Sequence, residues 1–384
     1  MEHVGITAII LAAGYSERMG RFKPLLDLGG RPVIARVVDT FVRAGIRDVR
    51  VVAGYNKDIL MPVLHKLGTR VIVNDNYADG MFTSVLAAVK GLESGVKAFF
   101  LLPADIPLVR PWTIRYLAEN FVRNEGKILV PCFMGRHGHP PLIASRFIEN
   151  IMNYRGEDGL SGVLKQQEAD TVSIRVPDSN ILFDMDEPGD YTELQRRWKR
   201  CSIPSVDECE VLLKDIYRIS DLVLEHSKTV AGIAGRITDE LNRAGTDLDR
   251  ALILAASLLH DIAKGKPDHA RESARIVRDF GCPEVAHIIE SHTDIVLSPY
   301  KTIGAAEVLY LADKLVSEDK LVTLSERFGE SVARHGNKPG TMRKIETRYK
   351  NALTIKDCIE ARIGTMPLDL QYDGNKLAGT QRWV

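Results

Sequence analysis

Residues that could bind a nucleotide follow the first apolar segment of the chain. Ile6–Leu11 has the composition of a buried strand, and residues 11–23 then read LAAGYSERMGRFK. Gly14 and Gly20 let the backbone approach a ligand because neither carries a Cβ. Consecutive loop N–H groups can then face a phosphate, and Arg18 and Lys23 add positive charge where a triphosphate would lie. The loop therefore predicts a nucleotide-phosphate site.

Two acidic segments could hold a metal ion beside this loop. The apolar run Ala98–Leu102 leads into PADIP and places Asp105 at the carboxyl end of a predicted strand. Mg²⁺ prefers oxygen ligands and usually takes one or two carboxylates together with substrate phosphates. Residues 183–191, FDMDEPGDY, supply further carboxylates, and Asp190 is predicted to cap the helix that follows.

Four residues in the second half of the chain have the types expected of a transition-metal site. His226, the adjacent pair His260 and Asp261, and Asp313 stand in the contexts LEHS, LLHDIAK and LADK. Imidazole and carboxylate ligands suit Mn²⁺, Fe²⁺, Ni²⁺ or Zn²⁺, and open coordination positions would admit a water acidified into a nucleophile. Because neighbours on a helix point about 100° apart, His260 and Asp261 can reach one ion only near a helix end or bend.

The predicted secondary structure that must position these residues differs between the two halves of the chain. In the first half, β-branched runs alternate with amphipathic stretches, which predicts a largely parallel sheet with helices on both faces. The predicted strands are 6–11, 49–53, 70–73, 98–102 and 127–130, and the predicted helices are 33–44, 58–67, 84–92 and 111–124. Ligands of such sheets collect at the carboxyl ends of the strands, where the loop and Asp105 lie.

The alternating pattern ends near Pro204, which disfavours helix at the preceding residue, while Ser205 can cap a following helix. No strand is predicted after Val206, and the predicted helices are 212–225, 227–244, 248–259, 270–280, 284–291 and 303–327, with one more near 342–363. We therefore expect an α/β domain over residues 1–200, an all-α domain over 206–327, and a C-terminal extension over 328–384 whose role is obscure.

The amino-acid composition argues against several classes of function. Lys and Arg number 51, as do Asp and Glu, so the net charge of zero gives no electrostatic reason to expect nucleic acid or a membrane as partner. Five scattered cysteines without a C-x-x-C pair argue against a zinc ribbon, an iron–sulfur cluster or a disulfide framework. The amino terminus has no leader pattern, and no apolar run is long enough to span a bilayer. The expected location is the cytoplasm.

The glycine-rich loop resembles the signature of the MobA-like nucleotidyltransferases, which attach a nucleoside monophosphate to the molybdopterin cofactor or to similar phosphorylated acceptors. Their pattern L-A-[AG]-G-x-S-x-R-M-G-x-x-K is met at every fixed position. The resemblance covers roughly residues 4–195. It implies a Rossmann-like α/β fold of the GT-A type, a three-layer sandwich, with a nucleoside triphosphate and Mg²⁺ at the carboxyl edge of its sheet.

This resemblance also implies roles for individual residues. Arg18 and Lys23 would hold the triphosphate, and Asp105 and Asp186 would hold Mg²⁺, with Asp184 as a candidate third ligand. The implied nucleotide contacts are Leu11, Ala12, Ala13, Gly14, Gly80 and Ser84, the last of these opening a helix. The L-A-A-G form is typical of cytidylyl members and favours CTP. Residues 135–141, GRHGHPP, resemble the loop on the acceptor side, with His137 and His139 expected to be solvated.

The order His, His-Asp, Asp resembles the HD-domain metal-dependent phosphohydrolases over roughly residues 206–327. His269 and His292 occupy positions that carry extra ligands in binuclear members of that family. Six ligands would support two metals, with the Asp261 carboxylate bridging them, and Mn²⁺, Fe²⁺ or another divalent transition metal is implied. Lys264 could bind a substrate phosphate or cap the helix end.

Together the two resemblances favour a bifunctional enzyme. One activity would be cytidylyl transfer to molybdopterin or a related phosphorylated precursor, with Arg18, Lys23 and Asp105 as catalytic residues and a molybdoenzyme or its chaperone as protein partner. The other would be phosphohydrolysis at Asp261. Two alternatives stay open: a sugar-phosphate nucleotidyltransferase, which shares the fold and the loop, and an HD module that senses a nucleotide without turnover.

Overall fold

The computed structural model describes residues 3–297, 302–335 and 339–366. The chain divides into two compact units: unit 1 comprises Met1–Arg218 with Asp279–Cys282, and unit 2 comprises Ile219–Arg278 with Pro283–Val384. The domain boundaries predicted from the sequence, at residues 200, 206 and 327, stay a proposal. Among the described helices, none is long and apolar enough to cross a bilayer.

Unit 1 is built on an eight-stranded sheet. Its strands are β1 Ile6–Ala12, β2 Asp48–Ala53, β3 Arg70–Val73, β4 Ala98–Pro103, β5 Ile128–Phe133, β6 Arg136–His137, β7 Leu142–Ala144 and β8 Thr171–Arg175. The order is β3-β2-β1-β4-β7-β5-β6, and β8 also pairs with β5. The first four strands are parallel, as predicted, whereas β7 runs antiparallel to both β4 and β5.

Helices cover the sheet of unit 1 and explain its apolar strands. They are α1 Val33–Arg43, α2 Lys57–Lys66, α3 Met81–Lys90, α4 Pro111–Phe121, α5 Ile148–Asn153, α6 Gly159–Gln166, α7 Pro188–Lys199 and α8 Val206–Val211. Because both faces of a parallel sheet are covered, its central strands are almost continuously hydrophobic. Phe100 of β4 is fully buried and its ring lies 5.7 Å from that of Phe41 on α1. The predicted α/β class is confirmed.

Unit 2 is helical, as predicted, with one small hairpin. Its helices are α9 Asp221–Arg243, α10 Arg250–Leu259, α11 His269–Asp279, α12 Pro283–Glu290, α13 Ala305–Lys314, α14 Leu324–His335 and α15 Pro339–Ile363. The hairpin pairs β9 Val316–Ser317 with β10 Lys320–Leu321. The expectation of no strand after Val206 is therefore wrong, and so is the single helix 303–327, which the hairpin interrupts.

The predicted helices 212–225 and 227–244 are also wrong in their boundaries. After α8 the chain makes a π-helical turn over Leu212–Ile216, and Arg218 then adopts a φ of 50°, which ends the helix. Ser220 starts α9 by accepting a hydrogen bond from the N–H of Val223 at 3.4 Å. Hydrophobic periodicity continues across such a break because it reports burial and not backbone hydrogen bonding.

A buried charge network ties α4 and α8 to the turn at Asp178. The Arg110 guanidinium lies 3.2 Å from the Glu208 carboxylate. The Asp178 carboxylate accepts hydrogen bonds from the N–H of Arg110 at 2.8 Å and the hydroxyl of Thr113 at 2.7 Å. Burial raises the pKa of Asp178. Breaking such a network leaves buried polar groups without partners, which costs far more than losing an exposed pair.

Replacing Asp178 with Ala should therefore destabilise the protein. We expect the free energy of unfolding to fall by about 3 kcal/mol, because the buried N–H of Arg110 and the buried hydroxyl of Thr113 lose their acceptor. Urea unfolding followed by tryptophan fluorescence measures the change. The control is Asp75→Ala, whose exposed carboxylate pairs with Lys57 at 2.8 Å and should cost below about 1 kcal/mol. Equal losses in the two variants would contradict the structural role of the network.

Candidate functional site

A cleft of about 510 Å³ lies at the carboxyl ends of β1 and β4. The residues predicted to bind the nucleotide and its metal all line this cleft: Leu11, Ala12, Ala13, Gly14, Arg18, Lys23, Gly80, Ser84, Asp105 and Asp186. Asp184 is exposed and does not line the cleft. The loop, two strand ends and the segment before α7 therefore meet as the sequence predicts.

Backbone contacts bring the two acidic segments together. Asp105 lies two residues after the end of β4, and its carbonyl accepts a hydrogen bond from the N–H of Met185 at 3.0 Å. The Asp190 carboxylate accepts hydrogen bonds from the N–H groups of Asp186 at 2.8 Å and Glu187 at 2.7 Å. Asp190 thus caps α7, as predicted, and holds Asp186 at the helix entrance.

The Lys23 ammonium joins the two carboxylates. Its Nζ atom lies 3.0 Å from Oδ2 of Asp105 and 2.8 Å from Oδ1 of Asp186, and Arg18 lies 2.8 Å from the other Asp186 oxygen. Burial opposes the charge of Lys23, but the two carboxylates outweigh it and raise its pKa. Burial raises the pKa of Asp105, whereas the hydrogen bond from Lys23 lowers that of Asp186.

The loop conformation explains how Lys23 reaches this position. Gly20 has a φ of +64°, in the left-handed region that favours glycine. The N–H of Lys23 donates a hydrogen bond to Oγ of Ser16 at 3.2 Å, which closes the loop, and the buried Pro24 lies within the following turn. The loop therefore presents a cation between Asp105 and Asp186.

The donor set of this cleft fits Mg²⁺. Two carboxylates from segments 81 positions apart share one cation, and both are oxygen donors of the kind that Mg²⁺ prefers. A divalent ion on the same oxygens would compete with the Lys23 ammonium, whose flexible side chain could then turn towards substrate phosphates.

Sequence reasoning missed an aromatic cluster beside the cleft. The ring of Tyr15 lies 5.0 Å from that of Tyr55 and 5.3 Å from that of Tyr77, and Tyr15 and Tyr77 line the cleft. A Cβ on Gly54 would come within 2.8 Å of both Ala13 and Tyr77, so this packing requires glycine. The three tyrosines follow β1, β2 and β3, and that shared placement was the available signal.

The two histidines of residues 135–141 differ in their surroundings. His137 is exposed, as predicted, with its Nε2 atom 3.1 Å from the hydroxyl of Ser173. His139 is half-buried, and its Nδ1 atom has no hydrogen-bond partner among the described residues. Burial lowers the pKa of His139 and favours the neutral imidazole. The expectation that His139 is solvated is therefore wrong.

In unit 2, six predicted residues form one compact group, the His/Asp cluster: His226, His260, Asp261, His269, His292 and Asp313. The carboxylate of Asp261 lies at its centre and is almost fully buried. Its Oδ2 atom lies 3.4 Å from Nε2 of His260 and 3.8 Å from Nε2 of His226. Its Oδ1 atom lies 3.3 Å from Nε2 of His269 and 3.6 Å from Nε2 of His292.

Helix ends position the members of the His/Asp cluster. His260 follows the last residue of α10, so the predicted helix end is confirmed and lets His260 and Asp261 both face the centre. His292 follows α12 and His269 begins α11. Asp313 lies in the last turn of α13, with Oδ1 3.2 Å from Nε2 of His226.

Backbone carbonyls orient three of the four imidazoles. The Nδ1 atoms of His226, His260 and His292 each lie 2.7 Å from a carbonyl oxygen, those of Glu318, Ser257 and Ile289. Each Nδ1 therefore donates, and each Nε2 faces the centre of the cluster, as in metal-binding histidines. The contact with Glu318 explains the hairpin, because the turn between β9 and β10 supplies the partner of His226.

The electrostatics of the His/Asp cluster also favour a cation. Burial opposes charge on His260, but Asp261 and Asp313 raise its pKa to about 10. Burial lowers the pKa values of His269 and His292. Nε2 of His260 and Oδ1 of Asp261 are buried without hydrogen-bond partners in the described part of the chain. Such orphaned ligand atoms are satisfied when a metal ion binds them.

The cluster contains two sets of convergent ligand atoms. His226, His260 and Asp261 form one set, and Asp261, His269 and His292 form the other, with the atoms of each set within 4.8 Å of one another. The two sets share Asp261, so the residues of the cluster could hold one or two divalent ions, with Asp261 in both ligand sets. Imidazole and carboxylate donors suit transition metals, but they do not select one.

The first half of the chain is similar to known nucleotidyltransferases. Residues 8–172 match the family model of the MobA-like NTP transferase domain. The molybdenum cofactor cytidylyltransferase of Escherichia coli is 26% identical over 193 residues, which cover 50% of this chain and 97% of that protein. The 2-aminoethylphosphonate cytidylyltransferase of Lancefieldella rimae is 36% identical over 133 residues, covering 31% of this chain and 53% of that protein.

Among solved structures, Rv0371c of Mycobacterium tuberculosis superimposes with a TM-score of 0.45 at 24% identity, over 50% of this chain and 99% of that one. Residues 223–328 match the family model of the HD domain. The first family match contains Lys23 and Asp105, and the second contains the whole His/Asp cluster. The chain therefore joins a MobA-like NTP transferase domain to an HD domain.

Proposed function

We propose that unit 1 transfers a cytidylyl group from CTP to molybdopterin or to a related phosphorylated cofactor precursor. The observation that carries this proposal is the meeting of Lys23, Asp105 and Asp186 with the glycine-rich loop around one cleft. The choice of nucleotide rests on the L-A-A-G form of the loop and on the two cytidylyltransferase relatives. The choice of acceptor rests on the relative that is matched over almost its whole length.

The residues of the cleft would act by alignment and by charge. Arg18, Lys23 and the loop N–H groups bind the triphosphate, and an acceptor phosphate oxygen then attacks the α-phosphorus as pyrophosphate leaves. The acceptor phosphate is already ionised at neutral pH, so the reaction needs no general base. Mg²⁺, when held by Asp105 and Asp186, would supply Lewis acidity and offset negative charge. Tyr15 and Tyr77 would offer aromatic faces to a base or an acceptor ring.

We further propose that unit 2 hydrolyses a phosphate ester or anhydride. The His/Asp cluster would hold two divalent ions, which supply Lewis acidity for attack of water on phosphorus. Nε2 atoms of four histidines and the carboxylates of Asp261 and Asp313 are the ligands. The argument against a sensor without turnover is that the four core HD ligands, His226, His260, Asp261 and Asp313, are all present.

Replacing Lys23 with Ala, with Mg²⁺ present, should slow transfer on the order of 10²-fold or more, because a charge that stabilises developing negative oxygens is lost. Pyrophosphate release from CTP with molybdopterin as acceptor measures the rate. The matched control is Lys57→Ala, which removes a lysine that pairs with Asp75 and does not line the cleft. Full activity of the Lys23 variant would contradict the phosphate-binding role.

The two carboxylates proposed to hold Mg²⁺ can be tested against a third carboxylate, Asp184, that lies close to Asp186 in the sequence. Asp105→Asn and Asp186→Asn should each abolish Mg²⁺-dependent transfer and leave nucleotide binding partly intact, since an amide does not offset the charge of the cation. Asp184→Asn is the control, because Asp184 is exposed and outside the cleft. If only the Asp184 variant lost activity, the assignment of the ligand to Asp186 would be wrong.

The two activities should be separable. Asp261→Ala removes the ligand shared by both metal sets, so bound metal and phosphohydrolysis should fall together while pyrophosphate release persists. Asp105→Asn should give the converse result. His287→Ala, an exposed histidine of α12, controls for the loss of any imidazole from unit 2. Loss of both activities in a variant that stays folded by circular dichroism would indicate coupled centres.

A further inference from the structure

A cavity of about 220 Å³ opens beside the His/Asp cluster, and four cationic side chains line it. They are Lys264, Lys314, Arg327 and Arg348. His269, His292 and Asp313 of the cluster line the same cavity, so it adjoins the proposed metal centre. Cationic side chains beside a group of metal-ligating residues favour an anionic ligand.

The last two helices form much of this wall. Arg327, Phe328 and Ser331 belong to α14, and Ile345 and Arg348 belong to α15. Most of these two helices lies beyond the HD-domain match, which ends at residue 328. Both helices are part of unit 2, so the predicted extension of obscure role supplies side chains to the cavity.

Specific contacts hold α15 against the rest of unit 2. The Arg348 guanidinium pairs with both carboxylate oxygens of Asp294 at 2.7 Å, and its carbonyl accepts a hydrogen bond from the Tyr310 hydroxyl at 3.0 Å. Asn351 donates a hydrogen bond to the carbonyl of Ile295 at 2.9 Å. These contacts fix the wall of the cavity to α13 and to the segment that follows His292.

Arg327 differs from the other three cations of the cavity. Lys264, Lys314 and Arg348 each pair with a carboxylate, those of Asp261, Asp313 and Asp294. In the described part of the chain, no carboxylate pairs with Arg327, and its Nε atom is buried without a hydrogen-bond partner. A buried guanidinium N–H without a partner is costly, and an anionic ligand would remove that cost. Arginine suits phosphate because it can donate two parallel hydrogen bonds.

The size of the cavity restricts the ligand. Pockets for drug-sized ligands occupy about 300–1,000 Å³, so 220 Å³ suits a compact anion better than a dinucleotide. The proposed transfer reaction releases such an anion, pyrophosphate. We propose that this cavity binds inorganic pyrophosphate and that Arg327 is one of its binding residues. Unit 2 would then hydrolyse the pyrophosphate to two orthophosphates. This inference rests on the proposed functions of both units.

The chemical step balances without a further reactant. The oxygen of one water forms a bond to one phosphorus as the bridging P–O bond breaks. One water proton stays on the first orthophosphate and the other passes to the departing phosphate. Removal of pyrophosphate would draw the transfer reaction towards its nucleotidylated product.

Binding is tested on the full chain loaded with Mn²⁺, using methylenediphosphonate, a pyrophosphate analogue whose bridge cannot be hydrolysed. Calorimetry should show that Arg327→Gln raises its Kd about 10- to 100-fold through the loss of charged hydrogen bonds, with Arg327→Lys in between. Arg334→Gln is the matched control, an exposed arginine of α14 that pairs with Glu330 and does not line the cavity. Bound manganese and the unfolding midpoint should be unchanged in all three variants.

Hydrolysis is tested by phosphate release from pyrophosphate, with bis-p-nitrophenyl phosphate as a diester for comparison. We expect pyrophosphate turnover, with a raised KM in Arg327→Gln. Turnover of the diester together with no binding of methylenediphosphonate would overturn this inference and leave the phosphohydrolase function standing. Binding that depends on Arg327, without hydrolysis of either compound, would support the binding site and overturn the hydrolytic step. Equal Kd values in wild type and Arg327→Gln would overturn the assignment of Arg327.

Discussion

Carboxylates gathered in buried places need positive charge, and both candidate sites depend on this constraint. In unit 1 the Lys23 ammonium lies between Asp105 and Asp186, within 3.0 Å of each. In unit 2 the imidazoles of the His/Asp cluster surround Asp261, which Lys264 contacts at 2.7 Å. Removing carboxylates from water is costly unless cations are near. Each site is therefore already organised around positive charge, which a divalent ion can provide in more concentrated form.

The candidate site residues of this protein were easier to predict from the sequence than the ends of its helices. The glycine-rich loop, Asp105 and the His260–Asp261 pair lie in short segments whose geometry is set locally by a strand end or a helix end. The break at Arg218 and the hairpin after α13 were missed because their causes are not local. Arg218 interrupts a continuous hydrophobic pattern, and the hairpin presents the carbonyl of Glu318 to His226, 92 positions away.

The residues that the sequence did not reveal share one property: their roles arise from neighbours that are distant in the chain. Tyr55 gains significance only beside Tyr15 and Tyr77, which the parallel order of β1, β2 and β3 brings together. Nothing in the sequence around Arg327 distinguishes it from other helical arginines. The turn after α10, together with α13 and α15, places a cavity and three other cations beside it. Residue types and their spacing in the sequence identify a site whose residues belong to one motif. A site assembled by packing is visible only once the elements have been placed.

The hydrogen bond from the N–H of Met185 to the carbonyl of Asp105 has a consequence for how this fold can diversify. It joins the two acidic segments, which flank a long stretch of the chain. That stretch includes α4 to α6, β5 to β8 and the loop at His139. None of the described residues that line the cleft lies between Asp105 and Asp186, so insertions or substitutions in that stretch can be accommodated without moving either carboxylate. The length of this stretch can therefore vary between related chains, while the chemistry at its base is inherited unchanged.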